Sequence, residues 1–130
     1  MTEVLDPATT SSEGLSESAP DSTAPAGLVF FHASEGKPLA TPWQVALIRS
    51  QLLAHAALPE GIVLDCACGS GIQLAAHASV LQRPALGVEL NPTRAQASAV
   101  NLNTIALQRQ ETESEWMRSS RVVIGDGRNG

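Results

Sequence analysis

Residues 62–71 read IVLDCACGSG, and this stretch decides the fold of the chain. Three apolar residues lead into Asp65, after which the chain passes Gly69 and Gly71 and enters a helical pattern. Such a run is typical of a buried parallel strand that delivers a loop to the start of a helix. Glycine at these two positions permits a positive φ and lets backbone amides come close to a ligand. Because open α/β sheets bind small molecules at the carboxyl ends of their strands, the stretch predicts a site for a nucleoside-containing ligand.

The loop departs from the dinucleotide-binding pattern G-x-G-x-x-G, because its third glycine position is Leu74. Asp65 would also repel a pyrophosphate, by about 1 kcal/mol or more at an effective dielectric constant near 20. The same carboxylate suits a ligand with a cationic end, such as the ammonium group of an amino acid. A nicotinamide-dependent oxidoreductase therefore stays an alternative, but Asp65 and Leu74 both disfavour it.

Two later segments repeat the pattern of an apolar strand that ends in an acid. Residues 85–89 read ALGVE, and Glu89 follows Gly69 by about 20 residues, the spacing at which an acid accepts hydrogen bonds from ribose hydroxyls. Residues 121–126 read RVVIGD and end in Asp126. Asp65, Glu89 and Asp126 are thus predicted to lie at one edge of a sheet, at three successive strand ends.

The motif D-x-x-x-G-x-G after an apolar strand, followed by Glu89 and Asp126, resembles the class I S-adenosylmethionine-dependent methyltransferases over roughly residues 38–130. The resemblance implies a Rossmann-like parallel sheet with flanking helices, and S-adenosylmethionine as the cofactor. It implies that Asp65 faces the methionine ammonium group, that Glu89 holds the ribose and that Asp126 meets the adenine amine. The other positions that it assigns to the cofactor are Cys66, Ala67, Gly69, Gly71, Leu90 and Gly127.

The segment before the first strand extends the resemblance more loosely. Residues 37–42 are similar to a segment that closes over the methionine end of the ligand in enzymes that act on structured RNA. This likeness implies a ligand contact for Thr41 and a nucleic-acid acceptor, with RNA ahead of DNA. Thr41 is explained more simply by local structure, since Thr41-Pro42-Trp43-Gln44 has the features of a helix N-cap.

The family's acceptor half has no counterpart in these residues. Amino-group methyltransferases of this class carry Asn or Asp, then Pro-Pro and an aromatic residue, after the fourth strand, and the chain contains no such run. The catalytic residues therefore cannot be named. We expect an N-terminal part of a longer polypeptide, inactive alone, with one sheet face poorly covered. A non-catalytic module that binds S-adenosylmethionine or a partner is the alternative.

Composition divides the chain in two. Residues 1–26 carry five acids and no Lys or Arg among many Ser, Thr, Ala and Pro, which predicts a disordered acidic tail. The tail accounts for the whole formal charge of −5, because residues 27–130 hold eight acids and eight Lys or Arg. The predicted domain at 27–130 thus has no basic field that would capture nucleic acid electrostatically.

Neither a secretory signal nor a membrane span is indicated by the apolar segments. Cys66 and Cys68 are too close in a tight loop for a good disulfide, which favours a reducing, cytoplasmic setting. Two thiols without a second ligand cluster predict no metal site. The three histidines, His32, His55 and His77, have no Ser or Cys partner at a suggestive spacing and are expected at or near the surface.

Periodicity predicts the remaining elements. A helix is expected from Thr41 to about Ala57, with an apolar stripe. Further helices are expected over 72–81 and from Asn91 through Leu102, and a short amphipathic turn around Trp116. With a short extended segment near 28–31, the order helix, β, α, β, α, β predicts a parallel sheet with right-handed crossovers. The stripe of the first helix consists of Val45, Leu47, Ile48, Leu52 and Ala56.

Overall fold

A computed structural model describes residues 3–17, 28–33, 42–55, 61–65 and 71–125. The strands are β1 (Glu3–Leu5), β2 (Ser16–Glu17), β3 (Phe31–His32), β4 (Val63–Asp65), β5 (Ala85–Glu89) and β6 (Arg121–Ile124). The helices are α1 (Trp43–His55), α2 (Ile72–Leu81), α3 (Pro92–Gln108) and α4 (Glu115–Ser119). The predicted order of elements is confirmed from α1 to β6.

The main sheet has four strands in the order β1-β6-β5-β4. β4, β5 and β6 are parallel, and β1 joins the outer edge of β6 antiparallel. A second, two-stranded sheet pairs β2 with β3. The fold is therefore mixed α/β, with a mostly parallel sheet and flanking helices.

The core lies between one face of this sheet and the helices. Parallel neighbours need crossover connections, and right-handed crossovers in the same direction along the sheet place α2 and α3 on the same face. Alanine is abundant in these helices, so they approach the sheet closely. The buried core includes Ala75 and Ala76 of α2, Leu102 and Ile105 of α3, and Trp116 and Met117 of α4. The amphipathic turn predicted around Trp116 is thus confirmed.

Helix α1 turns a different face inward from the one predicted. Val45, Ile48 and Leu52 are exposed, whereas Ala46 and Ser50 are fully buried. α1 packs mainly on α2, and small residues let the two helix axes approach. A polar network between the helices also draws this face inward, as described below. The predicted stripe is therefore wrong for these three residues, while Leu47 packs on the core and Ala56 lies outside the described residues.

The prediction of a disordered tail is wrong for residues 3–17. β1 pairs with β6 in the register Leu5↔Val122, and the Gln96 side chain of α3 donates hydrogen bonds to the carbonyl oxygens of Ser11 and Glu13. β6 would otherwise leave a row of unpaired backbone groups at the sheet edge. Backbone pairing needs few apolar side chains, and so composition did not reveal it.

In the described part of the chain, the second face of the sheet is partly exposed to solvent. Leu64 lies beside Leu86, and Val123 lies between Val88 and Val4. At the two ends of this row, Leu64 is 56% and Val4 57% exposed. This agrees with the expectation of a poorly covered face. Among the described helices, none is long and apolar enough to cross a membrane.

Candidate ligand site at the carboxyl edge of the sheet

Asp65 and Glu89 lie at the carboxyl ends of neighbouring parallel strands, as predicted. Asp65 ends β4 and is paired in register with Gly87 of β5, two residues before Glu89. Both carboxylates are partly buried. The edge thus presents two acidic side chains where an open α/β sheet binds its ligand.

Glu89 is held in place by the start of α3. One of its carboxylate oxygens accepts a hydrogen bond from the Asn91 backbone N–H at 2.9 Å, and its carbonyl oxygen accepts one from Gly125 N–H at 3.0 Å. Asn91 caps α3, since its side-chain oxygen accepts from the N–H groups of Thr93 and Arg94. The side chain of Asn91 therefore satisfies backbone donors in the first turn of α3. The hydrogen bond from Asn91 N–H fixes the orientation of the Glu89 carboxylate.

The start of α2 is built differently. Gly71 is its N-cap residue, with φ +77° and ψ 4°, and no side chain of the described residues caps the helix. The left-handed conformation confirms the predicted need for glycine. An uncapped N-terminus leaves backbone donors and a partial positive charge for a negative group. Of the two helices that follow strands at this edge, α3 has a side-chain cap among the described residues and α2 has none.

Ser98 of α3 lies directly behind Gly71. A Cβ atom placed on Gly71 would come within 2.2 Å of Ser98 Oγ and 2.9 Å of Ser98 Cα. Ser98 is fully buried, and its hydroxyl has no hydrogen-bond partner among the described residues. Gly71 thus has a second reason to be glycine, because α3 packs against it. Sequence analysis did not identify Ser98, because this contact spans two helices.

His77 has the serine partner that sequence spacing did not reveal. Its Nδ1 lies 2.7 Å from Ser50 Oγ of α1 and 3.3 Å from Gln73 Nε2 of α2. Burial lowers the pKa of His77 below its usual value of 6.5, Asp65 opposes this shift, and the Arg49 guanidinium adds to it. The Gln73-to-His77 spacing of one helical turn was the available signal. Ser50 is fully buried, so its hydroxyl supports the helix pair and has no access to a substrate.

Several predicted site residues lie outside the described residues: Thr41, Cys66, Ala67, Gly69, Asp126 and Gly127. Leu90, which is described, is 67% exposed just after β5. His, Cys, Asp and Glu form no group of three or more in the described ranges. Because both cysteines fall outside those ranges, the absence of a metal site stays a prediction.

A cleft of about 550 Å³ adjoins the outer side of this edge. Its walls are residues 3–6 and 9–11 of the N-terminal segment, Pro92 and Gln96 of α3, and Ile124 of β6. The cleft was not predicted, because the residues of its first wall were expected to form a disordered tail.

No protein-family model, curated protein or solved structure matches this chain.

Proposed function

We propose that this chain is the cofactor-binding, N-terminal part of a class I S-adenosylmethionine-dependent methyltransferase. When bound, S-adenosylmethionine supplies an electrophilic methyl group on a sulfonium. The protein's contribution would be to bind and orient that group for an in-line approach of the acceptor.

The main support for the proposal is that Asp65 ends β4 and that the helix that follows, α2, begins at Gly71, an N-cap residue without a side chain. A carboxylate at the end of β4 suits an ammonium group, and uncapped backbone N–H groups suit a carboxylate. An amino-acid end group carries both charges on one carbon. Neither a pyrophosphate nor a simple sugar offers this combination.

Glu89 supports the second half of the ligand. Its carboxylate is oriented by the Asn91 N–H, and it lies on the strand next to Asp65. A fixed carboxylate one strand away suits the two hydroxyl groups of a ribose. The residues present thus fit a nucleoside that ends in an amino acid.

For the acceptor we propose a nucleic acid, with RNA ahead of DNA, and a cytoplasmic setting. Support for RNA rests on the resemblance of residues 37–42. The balanced charge of residues 27–130 means that a nucleic acid would need further basic surface to bind tightly. We expect no methyl transfer to RNA or DNA by these 130 residues alone, which a tritiated-methyl assay measures.

The test is calorimetric titration of the chain with S-adenosylhomocysteine, 5′-methylthioadenosine and NADH. We expect S-adenosylhomocysteine to bind and NADH not to bind. Asp65→Asn should weaken the binding of S-adenosylhomocysteine about tenfold or more, because a hydrogen bond to a charged group contributes about 1.5–3 kcal/mol. The same variant should leave the affinity for 5′-methylthioadenosine unchanged, since that nucleoside lacks the amino-acid end. Glu89→Gln should weaken the binding of both S-adenosylhomocysteine and 5′-methylthioadenosine.

Glu113→Gln is the matched control, because Glu113 is an exposed carboxylate whose described ion pair is with Arg118. It should bind every ligand as the unaltered chain does. Selective NADH binding that Glu89→Ala abolishes would replace this proposal with a nicotinamide-dependent oxidoreductase.

A further inference from the structure

The cleft beside β1 is preformed, because contacts within the chain fix its first wall. β1 is paired with β6, which holds residues 3–5 at the edge of the sheet. The turn that follows is closed by Asp6, whose carbonyl oxygen accepts hydrogen bonds from the N–H groups of Thr9 and Thr10, both at 3.1 Å. Pro7, within this turn, is fully buried. The cleft volume of about 550 Å³ lies in the usual range of preformed ligand sites, about 300–1,000 Å³.

Gln96 of α3 fixes the opposite wall. Its Nε2 atom donates to the carbonyl oxygen of Ser11 at 2.7 Å and to that of Glu13 at 2.8 Å. Both amide hydrogens are therefore used, and Oε1 accepts no hydrogen bond from the described residues. Gln96 thus has an acceptor but no donor to offer a ligand.

Two acidic side chains, Glu3 and Asp6, line the cleft, and none of the described lining residues is Lys, Arg or His. The Glu3 carboxylate has no ion pair or hydrogen bond with the part of the chain that the structure describes. Asp6 Oδ1 accepts from the Ala8 N–H at 3.0 Å and lies 4.0 Å from Arg121 Nη1. That nitrogen also donates to two backbone carbonyl oxygens at 2.7 Å. The negative charge in the cleft is therefore only partly compensated.

The hydroxyl groups of the cleft add few donors. Thr10 Oγ1 donates to the Asp6 carbonyl oxygen at 2.7 Å, and Thr9 Oγ1 donates to the same oxygen at 3.4 Å. Ser11 Oγ accepts from the Glu13 N–H at 3.0 Å. Among the described side chains of the lining, the Ser11 hydroxyl is therefore the one donor that stays uncommitted.

Free acceptors thus exceed free donors in the cleft. The acceptors are the Glu3 carboxylate, the second carboxylate oxygen of Asp6 and Gln96 Oε1. A ligand that satisfies them has to bring N–H groups and a positive charge, since hydrogen bonds between charged groups are the strong ones. The rest of the lining is apolar and suits an alkyl chain: Val4, Leu5, Pro92 and Ile124.

We propose that this cleft binds a small organic cation, a guanidinium or ammonium group on a short alkyl chain. Glu3 and Asp6 pair with the charge, and Gln96 Oε1 accepts a further hydrogen bond. A free alkyl cation and an arginine or lysine side chain of a peptide share this chemistry. None of the residues that line the cleft belongs to the predicted cofactor site, so the proposal is independent of S-adenosylmethionine.

The test is a titration of the isotopically labelled chain with butylguanidinium, followed by amide NMR spectra. Butanol and butyrate are the matched probes, because they have the same alkyl chain with no charge or with the opposite charge. We expect butylguanidinium to shift the amides of residues 3–11 and Gln96, and the two matched probes to leave them in place. Equal shifts with butanol, or no shift at millimolar butylguanidinium, would overturn the proposal. This comparison needs no variant to fold.

Glu3→Gln keeps the shape of the side chain and removes its charge. It should weaken the binding of butylguanidinium about fivefold, since an exposed ion pair stabilises a complex only modestly. Glu13→Gln is the matched control, because Glu13 is an exposed carboxylate of the same N-terminal segment that does not line the cleft. An affinity that is the same in Glu3→Gln as in the unaltered chain would overturn the role of Glu3.

A blocked Ala-Arg-Ala peptide, acetylated and amidated at its ends, separates the two sources of the cation. Tighter binding of this peptide than of butylguanidinium would support the proposal with a peptide side chain as the ligand. Tighter binding of butylguanidinium would support it with a free cation. If the peptide and butylguanidinium both left the amides of residues 3–11 unshifted, the cleft would not be a cation site.

Discussion

Gly71 lies where α2 begins and where α3 passes closest to it. Its φ of +77° is a conformation that residues with a side chain rarely adopt. Behind it, the space that a Cβ would need is taken by Ser98. The glycine loop is therefore shaped by the packing of α3 as well as by any ligand.

Gly71→Ala should consequently lower the free energy of unfolding by about 2–5 kcal/mol. About 1–2 kcal/mol comes from the left-handed conformation, and about 1–3 kcal/mol comes from overpacking against α3. Urea denaturation measures this loss. Gly14→Ala is the control, because Gly14 has φ +84° but nothing within 4 Å of its Cβ position, so the smaller loss alone is expected. Equal losses in the two variants would show that Ser98 does not crowd Gly71.

Ser98 and Ser79 make a matched pair of buried serines. Ser98 Oγ has no partner in the described part of the chain, whereas Ser79 Oγ donates to Glu111. Burying an unsatisfied hydroxyl costs about 1–3 kcal/mol. Ser98→Ala should therefore raise the unfolding free energy by about 1 kcal/mol, and Ser79→Ala should lower it by about 1–3 kcal/mol. Thermal denaturation of both variants measures these changes in stability. A loss of stability in Ser98→Ala would mean that the Ser98 hydroxyl has a hydrogen-bond partner.

Among the elements, the end of α2 is tied to the turn between α3 and α4 by one carboxylate. Glu111 accepts hydrogen bonds from Ser79 and Gln82 of the α2 end and pairs with Arg109 at 3.2 Å. Burial tends to raise its pKa, but these hydrogen bonds and Arg109 outweigh burial and lower the pKa below 4.5. The charged form is thus favoured in the folded state.

The stability that Glu111 contributes should be fully present above pH 4.5, where the carboxylate is charged in both the folded and unfolded states. As the pH falls from 4.5 through the lowered pKa of the folded state, the unfolded chain takes up the proton first and this stability is lost. Glu111→Gln should be less stable at pH 7 and should flatten the slope of unfolding free energy against pH below 4.5. Urea denaturation at several pH values tests this. A slope below pH 4.5 that is the same in Glu111→Gln as in the unaltered chain would contradict this role of Glu111.

At the scale of the whole molecule, the described helices α2 and α3 cover one face of the sheet, and the described residues on the other face are partly exposed. Parallel sheets normally have both faces covered. The second face carries apolar residues on all four strands, with Arg121 beside Leu86, and Leu64 and Val4 are each more than half exposed. An exposed apolar surface of this kind promotes association.

Leu64→Lys should therefore reduce concentration-dependent association of the chain, as measured by sedimentation velocity. Lys is also well tolerated on an edge strand. Leu107→Lys is the control, because Leu107 is equally exposed, at 61%, but lies near the end of α3 and away from the sheet face. If both variants reduced association alike, added charge rather than this face would be the cause.

The sequence predicted the elements whose signals are local. Apolar runs that end in Asp65 and Glu89 indicated strands, and Asn91-Pro92 indicated the start of α3. It failed where partners are distant in the chain. β1 depends on a backbone edge that β6 offers, and the inward face of α1 depends on Gln73 and His77 of α2. The same holds for the site, since Ser98 meets Gly71 only after α3 packs.

The most direct test of the account is a titration of the isotopically labelled chain with S-adenosylhomocysteine, followed by amide NMR spectra. The largest shifts should fall at Asp65, at residues 71–74 of the α2 start, and at Glu89. The residues of α4 should stay unchanged. Shifts confined to the cleft of the N-terminal segment, or no shift at millimolar ligand, would contradict a cofactor site at this edge of the sheet.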